Sequence, residues 1–465
     1  MNTRIHFHGA AREVTGSMHL IECNGRMLAL DCGLFHGRRE ETNRKNRSFP
    51  CDPRKLDAVV LSHAHIDHCG RLPRLVREGF DGPIYATAAT CDLAEILLAD
   101  SAYIQEEDAA YWNKKRVRRG DAPIAPLYTA DDAAVTFPLL RPQRLNTPFE
   151  VEGVARVTLH EAGHMLGSAI VELELDSGAR LVYSGDLGRA GRAILRDPTP
   201  LPPCEYLVCE STYGGRVTPD NQGMREQLAE VLNETFHRGG KVIVPAFAVG
   251  RTQVIVYHYH QLVKSGLIER PAPIVVDSPL AARATDIFRR HPEVFDDEAA
   301  NFRAEAGSLF LSDWAEYTRN VEDSKALHKR KGPMMVISAS GMCEFGRILH
   351  HLKNNIGDSR NTVLIVGYQA ENTLGRRLVE KAGQVRIFGE MYDVRAAVKV
   401  LNGFSAHANA HELADWTAPR AADCRAAFLI HGDPDQSEKL AEAMRGRGYR
   451  NVQVPSPGQA FDLHR

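Results

Sequence analysis

The chain has 465 residues, 43% hydrophobic and 25% charged, which is typical of a soluble globular protein with room for two cores. Its 57 basic and 59 acidic residues give a net charge of −2, so a polyanionic partner would have to meet a local basic surface. Nine scattered cysteines argue against a disulfide scaffold, and without a signal-like N-terminus or a membrane-length apolar run we expect a cytoplasmic protein with no membrane partner.

The first part of the chain alternates short β-like runs with glycine-containing turns. Strands are predicted at 5–8, 18–22, 27–31, 58–61, 155–159, 169–175 and 180–183. Amphipathic stretches at 72–78 and 90–108 predict helices between them. Because strands dominate, this part favours stacked sheets covered by helices.

After about Tyr213 the rhythm changes to helix and strand in alternation, up to about residue 389. Strands are predicted at 241–245, 273–277, 334–338 and 362–367, and each is followed by a helix-like segment. This pattern is typical of a parallel α/β layer. The last part returns to short strands at 426–430 and 451–454, around a helix at 436–444.

Four potential metal ligands lie in the segment His63-Ala64-His65-Ile66-Asp67-His68, directly after an apolar run. In extended chain, His63 and His65 share a face, while Asp67 and His68 lie on the following turn and face a second position. Zinc favours histidine and carboxylate ligands, and a catalytic site keeps one position open for water. The segment therefore predicts a metallohydrolase whose remaining ligands come from downstream.

Three downstream residues follow predicted strands and adjoin glycine, namely His164, Asp186 and His431. A carboxylate such as Asp186 can bridge two cations at the roughly 3.5–4 Å separation of two-metal hydrolases. Each residue taken alone could instead cap a turn. Their number favours the interpretation as ligands.

These motifs resemble those of the metallo-β-lactamase superfamily, and Asp31 resembles the residue of its first motif. The resemblance extends to the β-CASP nucleases, whose additional motifs match Glu210, His407 and His431. The strings 244–253, 277–280, 338–342 and 367–372 are also similar to that family, in the expected order. The chain most resembles bacterial and archaeal relatives of the nuclease subunit of the cleavage and polyadenylation specificity factor.

The resemblance implies an α/β (α+β) fold, an αββα metallo-β-lactamase sandwich with an inserted α/β β-CASP domain. The sandwich would comprise residues 1–208 and 390–465, and the insertion residues 209–389. By the same resemblance, two Zn²⁺ ions per subunit are expected. His63, His65, His164 and Asp186 would hold one ion, and Asp67, His68, His431 and a bridging Asp186 the other.

The implied activity is hydrolysis of single-stranded RNA by a hydroxide bound to both metals, leaving 5′-phosphate and 3′-hydroxyl ends. The candidate catalytic residues are Asp67, Asp31, Glu210 and His407. Asp31 is expected to orient a ligand or the hydroxide. His407 is expected to protonate the leaving oxygen, with Glu210 raising its pKa.

The segment Ser338-Ala-Ser-Gly-Met342, between a strand and a helix, predicts a phosphate-binding loop with Ser338, Ser340 and Gly341 as contacts. A plain turn with a serine N-cap is the alternative. Arg251 and Arg376 are further candidate phosphate contacts, and Phe345 stands where many relatives carry glycine. The run 111–119 combines aromatics with five cations and suits either RNA contact or a solvated helix end.

Three alternatives to a ribonuclease stay open. A DNA nuclease of the same family would tend to carry a small apolar residue at the position of His431, so His431 favours RNA. A thioester or lactone hydrolase would need neither Glu210 nor His407, and a non-catalytic partner protein would have lost metal ligands. The sequence does not decide between endonuclease and exonuclease, nor does it give the RNA target, the metal used in cells or whether the chain forms a homodimer.

Overall fold

The computed structural model describes residues 3–37, 39–217, 223–401, 403 and 405–464. The chain divides into two compact units. The first unit consists of Met1–Ala190, Arg196–Val217 and Ala406–Arg465. The second unit consists of Gly191–Leu195 and Thr218–Ser405.

The first unit contains most of the strands, which are numbered here along the whole chain. They are Thr3–Gly9 (β1), Met18–Cys23 (β2), Arg26–Leu30 (β3), Ala58–Val60 (β4), Ile84–Thr87 (β5), Leu140–Gln143 (β6), Phe149–Val151 (β7), Ala155–Glu161 (β8), Ala169–Leu175 (β9), Arg180–Tyr183 (β10), Tyr206–Glu210 (β11), Ala426–Ile430 (β20), Val452–Gln453 (β21) and Ala460–Asp462 (β22). Its helices are Arg39–Asn46 (α1), Ile66–Cys69 (α2), Leu72–Arg77 (α3), Ala88–Val117 (α4), Ala130–Thr136 (α5), Ala410–Thr417 (α13) and Pro434–Gly446 (α14).

The strands of the first unit form two seven-stranded sheets, in the orders β22-β1-β2-β3-β4-β5-β6 and β21-β20-β11-β10-β9-β8-β7. In each sheet the pairs at one end are antiparallel and the pairs at the other end are parallel. The parallel pairs bring the carboxyl ends of β4, β10, β11 and β20 to edges from which the candidate ligands extend.

A hydrophobic core lies between the two sheets. Along β1 the side chains alternate, with Ile5 and Phe7 fully buried and Arg4 and His6 partly exposed. The Phe7 ring meets that of Phe428, on the other sheet, at 5.2 Å between centroids. Each large apolar side chain buried in this way contributes about 1.5–3 kcal/mol.

Helices cover the outer faces of both sheets. Thr87 caps the N-terminus of α4, because its hydroxyl accepts a hydrogen bond from the Thr90 amide. On the other face, α13 and α14 contribute Leu413 and Leu440 to a second core against the outer side of β20. The predicted αββα sandwich is confirmed.

The second unit alternates strands and helices. Its strands are Lys241–Pro245 (β12), Ile274–Val276 (β13), Ala315–Tyr317 (β14), Met334–Ser338 (β15), Thr362–Ile365 (β16), Gln384–Ile387 (β17), Glu390–Asp393 (β18) and Ala397–Val400 (β19). Its helices are Met224–His237 (α6), Arg251–Lys264 (α7), Pro279–Arg290 (α8), Asp297–Ala306 (α9), Val321–Lys329 (α10), Arg347–Asn355 (α11) and Leu374–Val379 (α12).

Six strands of the second unit form a wholly parallel sheet in the order β14-β13-β15-β12-β16-β19, and β17 and β18 form a separate hairpin. The central strands are continuous apolar runs, as expected for a sheet covered on both faces. The unit extends through Ser405, beyond the expected end at residue 389, because β19 pairs with β16. Within the described part of the chain, no helix is long and apolar enough to cross a membrane.

Candidate metal centre

The segment from His63 to His68 lies shortly after the buried strand β4, and its last three residues belong to the short helix α2. His65 occupies the N-cap position, and its carbonyl accepts hydrogen bonds of 2.9 Å from the amides of His68 and Cys69. Gly33 lies so close that a Cβ atom there would be 1.5 Å from the carbonyl oxygen of Asp67. The loop is therefore fixed by its own backbone and by the neighbouring segment around Gly33, whose close approach requires glycine.

Four donor atoms converge in a first cluster formed by His63, His65, His164 and Asp186. His65 Nδ1 lies 3.1 Å from His63 Nε2 and 3.2 Å from His164 Nε2. Asp186 Oδ2 lies 3.4 Å from His63 Nε2 and 3.5 Å from His164 Nε2. The predicted ligands from three separate parts of the sequence thus meet at one point.

A second cluster consists of Asp67, His68 and His431. His431 Nε2 lies 3.1 Å from His68 Nε2 and 3.5 Å from Asp67 Oδ2. The other oxygen of Asp186, Oδ1, lies 3.3 Å from His68 Nε2. Asp186 therefore presents one oxygen to each cluster.

The donor set fits divalent cations. Zinc–nitrogen bonds of about 2.0–2.1 Å in tetrahedral geometry place neighbouring ligand atoms about 3.3 Å apart, and the donor pairs here lie at 3.1–3.5 Å. His65 Nδ1 faces two other imidazole nitrogens but has only one proton or one lone pair, so hydrogen bonds alone explain these contacts poorly. Among the described residues, nothing donates a hydrogen bond to the buried Oδ1 of Asp186.

The protonation states also suit metal binding, which needs neutral imidazoles and ionised carboxylates. Burial lowers the pKa of His63 and lowers the pKa of His65 to about 3. Burial alone would raise the pKa of Asp67 and Asp186, but the surrounding imidazoles outweigh it and hold both pKa values below the ordinary range.

His68 is the exception among these ligands. Burial lowers its pKa, but the charges of Asp186 and Asp31 outweigh burial and raise the pKa well above the ordinary value. The carboxylates of Asp31 and Asp186 thus lie on both sides of the His68 ring, at 2.7 and 3.3 Å. Their negative charge would also favour a cation bound at the second cluster.

Asp31, fully buried after β3, orients His68. Its Oδ2 lies 2.7 Å from His68 Nδ1 and accepts a hydrogen bond of 2.5 Å from the Tyr183 hydroxyl. The Ser62 hydroxyl donates to the same oxygen at 2.8 Å. These bonds fix the ring of His68 with Nε2 facing the second cluster, as outer hydrogen bonds fix metal ligands generally.

The loops that carry His164 and Asp186 are held by side chains of the same unit. The hydroxyls of Thr87 and Thr90 donate to the Gly167 carbonyl at 2.6 and 2.8 Å, which secures the His164 loop. Gly185, before Asp186, has φ +54° and lies so close to Ser62 that a Cβ would stand 2.8 Å from the serine Cβ. Asp186 can reach both clusters because its neighbour has no side chain.

Glu210 and His407 form a pair next to the clusters. His407 Nδ1 lies 3.2 Å from Glu210 Oε2 and 3.9 Å from Asp186 Oδ2. Glu210, fully buried at the end of β11, also accepts a hydrogen bond of 2.6 Å from the Leu187 amide. Burial lowers the pKa of His407, but the charges of Glu210 and Asp186 outweigh burial and raise the pKa to about 9.

Sequence reasoning missed several residues that support the site. Thr212 Oγ1 lies 3.0 Å from His431 Nδ1, so it orients that ring, and Ser62 Oγ lies 3.0 Å from His63 Nδ1. The sequence also did not predict Tyr183, whose hydroxyl donates a hydrogen bond to Asp31. Ser62 and Thr212 adjoin predicted site residues, so adjacency was an available signal, whereas the contact of Tyr183 spans 152 positions.

Backbone conformation marks two of the site residues. Asp31 and His431 have φ values of +61° and +51°, in the left-handed region that residues other than glycine rarely adopt. The His431 amide is held in this conformation by a hydrogen bond of 2.6 Å to the Ala10 carbonyl. Strained conformations of this kind are concentrated at functional sites.

The predicted phosphate contacts lie in the second unit, at the carboxyl ends of its parallel strands. Ser338 is buried, and its hydroxyl donates to the Asp277 carbonyl at 2.9 Å. Gly341 is also buried, whereas Ser340 is half-buried. Arg251 begins α7, and Arg376 forms an ion pair of 2.6 Å with Glu380. The Ser338 hydroxyl is thus engaged within the second unit, and the phosphate contacts expected at Ser338, Ser340, Gly341, Arg251 and Arg376 stay predictions.

The basic and aromatic run 111–119 lies at the C-terminal end of α4. Tyr111 is 54% exposed, and Lys115 Nζ lies 4.4 Å from the centroid of its ring. Asn113 exchanges hydrogen bonds of 2.9 and 2.8 Å with the backbone of Ile124, which fixes the helix end. Both interpretations of the run, RNA contact and solvated helix end, stand as before.

Comparison with known families gives three matches in chain order. Residues 13–236 match the metallo-beta-lactamase superfamily, residues 252–378 the Beta-Casp domain, and residues 391–455 the Zn-dependent metallo-hydrolase RNA specificity domain. The fold and the site thus define a metal-dependent hydrolase of the metallo-β-lactamase superfamily.

Known relatives extend over nearly the whole chain. It is 39% identical over 447 residues to ribonuclease TTHA0252 of Thermus thermophilus, a match covering 95% of each protein. It is 30% identical over 465 residues to transcription termination factor FttA of Methanothermobacter thermautotrophicus, covering 97% of this chain and 70% of that protein. Within the superfamily, the chain belongs to the β-CASP ribonucleases, as its motifs indicate.

A solved structure shares the fold. The crystal structure of a protein of unknown function from Enterococcus faecalis aligns over 100% of both chains, with a TM-score of 0.55 and 15% sequence identity. At this identity the similarity concerns the fold alone.

Proposed function

We propose that this protein is a two-zinc ribonuclease that hydrolyses phosphodiester bonds of single-stranded RNA and leaves 5′-phosphate and 3′-hydroxyl ends. The observation that carries the proposal is Asp186, whose two oxygens face two separate groups of donors, with His407 3.9 Å away. The name of its relative in Thermus thermophilus, ribonuclease TTHA0252, supports RNA as the substrate.

Zinc is the metal that the donors favour. The first cluster offers three imidazoles and one carboxylate, and the second offers two imidazoles and a carboxylate besides the shared Asp186. Imidazole nitrogens suit zinc, whereas magnesium and calcium prefer sites made of oxygen alone. Two zinc ions held here would lower the pKa of a shared water and neutralise negative charge on the phosphodiester.

His407 is the proposed general acid. Because its Nδ1 faces Glu210, its Nε2 lies on the far side of the ring from that carboxylate. In the proposed reaction, water gives one proton to solvent and its oxygen bonds to phosphorus while the P–O3′ bond breaks. The proton on His407 Nε2 then goes to the departing 3′-oxygen, and Glu210 keeps the ring charged and correctly turned.

Asp31 and Thr212 act on the reaction through the ligands. Asp31 holds His68 through Nδ1, and Thr212 holds His431 in the same way. Both contacts leave the Nε2 atoms facing the second cluster, 3.1 Å apart. A site whose rings are held from outside needs little rearrangement when substrate binds.

RNA rather than DNA is the proposed substrate for two reasons. His431 lies among the donors of the second cluster, and in DNA-cleaving members of the family this position tends to be small and apolar. The C-terminal match is to a family described as a Zn-dependent metallo-hydrolase RNA specificity domain, which supports RNA.

The test uses end-labelled single-stranded RNA and DNA of the same sequence, incubated with zinc-loaded protein and with an Asp67→Ala variant. We expect metal-dependent cleavage of RNA that the variant loses, with products whose 5′ ends release phosphate on phosphatase treatment. Products trimmed from one end would indicate an exonuclease, and discrete internal products an endonuclease. Preferential cleavage of DNA, or no metal-dependent cleavage of either polymer, would overturn the proposal.

A further inference from the structure

Three large aromatic side chains are exposed at the carboxyl edge of the parallel sheet in the second unit. Phe247 follows β12, Phe345 lies between β15 and α11, and Tyr368 follows β16. These strands are adjacent in the sheet, in the order β15-β12-β16. Open parallel sheets bind their ligands at this edge, in the crevice beyond the carboxyl ends of the strands. We call these three residues the aromatic edge.

The exposure of the aromatic edge is large. Phe247, Phe345 and Tyr368 are 54%, 61% and 55% exposed in the whole chain, whereas Phe288 and Phe310 of the same unit are buried. No other large apolar side chain of the loops 246–250, 339–346 and 366–373 is comparably exposed. Side chains of this size normally contribute to a core, and a group of them at a surface marks a binding site.

The loops that carry the aromatic edge are bound to one another. Gln369 Nε2 donates to the Gly341 carbonyl at 3.0 Å, and Glu344 accepts a hydrogen bond of 2.7 Å from the Leu374 amide. A Cβ atom on Gly341 would lie 3.4 Å from the Phe247 ring, so the ring is packed beside the loop of Phe345. The aromatic positions are therefore set before any ligand arrives, which reduces the entropy lost on binding.

Cations accompany the aromatic rings. Arg251 begins α7 four residues after Phe247. Helix α12, a few residues after Tyr368, carries Arg377 and also Arg376, which is paired with Glu380. Exposed carboxylates, Glu344 and Glu371, lie on the same loops, so the edge is mixed in charge rather than uniformly basic. Aromatic faces interspersed with arginine match the bases and phosphates of a single strand better than they match an aliphatic protein surface.

We propose that Phe247, Phe345 and Tyr368 form a base-stacking subsite that holds nucleobases of single-stranded RNA without regard to sequence. The inference rests on the proposed function, because it assumes that RNA is the substrate. Each ring offers a π face on which any of the four bases can stack, so the subsite would contribute affinity rather than sequence preference.

The first experiment measures steady-state cleavage of short single-stranded RNA by the zinc-loaded enzyme and its Phe345→Ala variant. We expect KM to rise about tenfold and kcat to stay within twofold, because stacking acts on binding and not on bond cleavage. Phe345→Trp should restore KM, whereas Phe345→Leu, which keeps apolar bulk without a π face, should not. Phe388→Ala is the matched control, since Phe388 is 52% exposed in the same unit but lies in the β17–β18 hairpin.

A second substrate series separates stacking from other effects. In each RNA of the series one nucleotide is abasic, and its position moves along the sequence. When the abasic position is the stacked one, KM of the wild type should rise by about the same factor as the Phe345→Ala change causes on intact RNA. The variant should lose nothing further at that position. If removing a base weakened cleavage by Phe345→Ala as much as it weakens cleavage by the wild type, the subsite would be wrong. An unchanged KM for both Phe345→Ala and Phe247→Ala would also overturn it.

Failure of the subsite and failure of the proposed function are distinguishable. If wild-type enzyme cleaves RNA while the alanine variants match it, the subsite alone is wrong and the aromatic edge serves another partner, such as a protein. If wild-type enzyme cleaves no RNA, the proposed function is wrong. Binding of RNA that contains 2-aminopurine, measured by quenching of its fluorescence, then still tests whether bases stack at the subsite, because the measurement requires no turnover.

Discussion

Two buried aspartates, one in each unit, follow strand ends in similar sequence settings but have opposite surroundings. Asp186, after β10, is 2% exposed, and its Oδ1 accepts no hydrogen bond from any described residue. Asp277, after β13, is fully buried, and both of its oxygens are saturated. Its donors are Thr318, Ser324 at 2.6 Å, Arg347 at 2.7 Å and His351 at 2.6 Å.

The difference shows how a structural carboxylate differs from a candidate metal ligand. A buried carboxylate is costly unless its charge and lone pairs are satisfied. At Asp277 protein donors satisfy them, so the residue joins α10 and α11 to the sheet. At Asp186 the neighbours are imidazole nitrogens, and a carboxylate among imidazoles is an arrangement that suits a cation.

The largest effect is expected from Asp186→Asn, which would remove the charge shared by the two clusters. We expect zinc content, measured by mass spectrometry of the metal, to fall at both positions and RNA cleavage to fall by at least about 10³-fold. Metal-free variant and metal-free wild type should unfold within a few degrees of one another. A variant that retained two zinc ions and a tenth of the activity would contradict the proposal that Asp186, unlike Asp277, binds metal.

His407→Ala should lower kcat by about 10²–10⁴-fold while zinc content stays at the wild-type level. The loss should disappear on RNA with a 3′-bridging sulfur at the cleaved bond, because a thiolate leaves without a proton. Such a result would show that His407 acts on the substrate, whereas Asp186 acts on the metal. An equal loss on the oxygen and sulfur substrates would contradict its role as general acid.

Asp31→Asn sharpens the comparison because Asp31 combines both patterns. Like Asp277 it accepts several hydrogen bonds, yet one of its partners is His68, a candidate metal ligand. We expect zinc affinity of the second cluster to fall about 10–100-fold, since His68 loses the partner that turns its ring. Competition with a chelator of known affinity measures the change. Unchanged affinity would reduce Asp31 to a purely structural residue.

Asp277→Asn should have the smallest effect on zinc content and RNA cleavage at room temperature. It should instead lower the free energy of unfolding by about 3–5 kcal/mol, since Arg347 and His351 would lose a buried partner. Urea unfolding of the metal-free protein, with Asp186→Asn as the matched control, provides the measurement. A larger loss of stability in the control would reverse the comparison.

The pH dependence of the free energy of unfolding tests the role of Asp277. Burial would raise the pKa of Asp277, but the hydrogen bonds from His351, Ser324 and Thr318 outweigh it and hold the pKa below the ordinary carboxyl value. Its stabilisation is therefore complete above about pH 4 and is lost as the pH falls through the folded pKa. Wild type should lose more stability below about pH 4 than Asp277→Asn.

Local patterns made much of the fold predictable. The strands at 169–175, 180–183, 241–245, 334–338 and 426–430 coincide with β9, β10, β12, β15 and β20, because each is an apolar run bounded by turn residues. Helix α4 is longer than predicted, since its polar C-terminal end carries no apolar periodicity. The hairpin of β17 and β18 was missed because its strands are short and mostly exposed.

The site was predictable as far as its residue types and motifs allowed. His63 to His68 are contiguous, so their chemistry could be read locally. The division of Asp186 between two clusters, the bond from Thr212 to His431 and the burial of Ser338 depend on pairing between distant strands. The aromatic edge was likewise invisible as a group, because only the strand order β15-β12-β16 brings Phe247, Phe345 and Tyr368 to one edge.

The most direct test of the proposed two-metal centre is a zinc titration of metal-free protein. Calorimetry measures binding, and cleavage of end-labelled single-stranded RNA is measured in the same samples. Two ions should bind per chain, and activity should rise with the second equivalent. Full activity with one ion bound, or intact RNA with two ions bound, would contradict the assignment of Asp186 as the ligand shared by a two-metal nuclease.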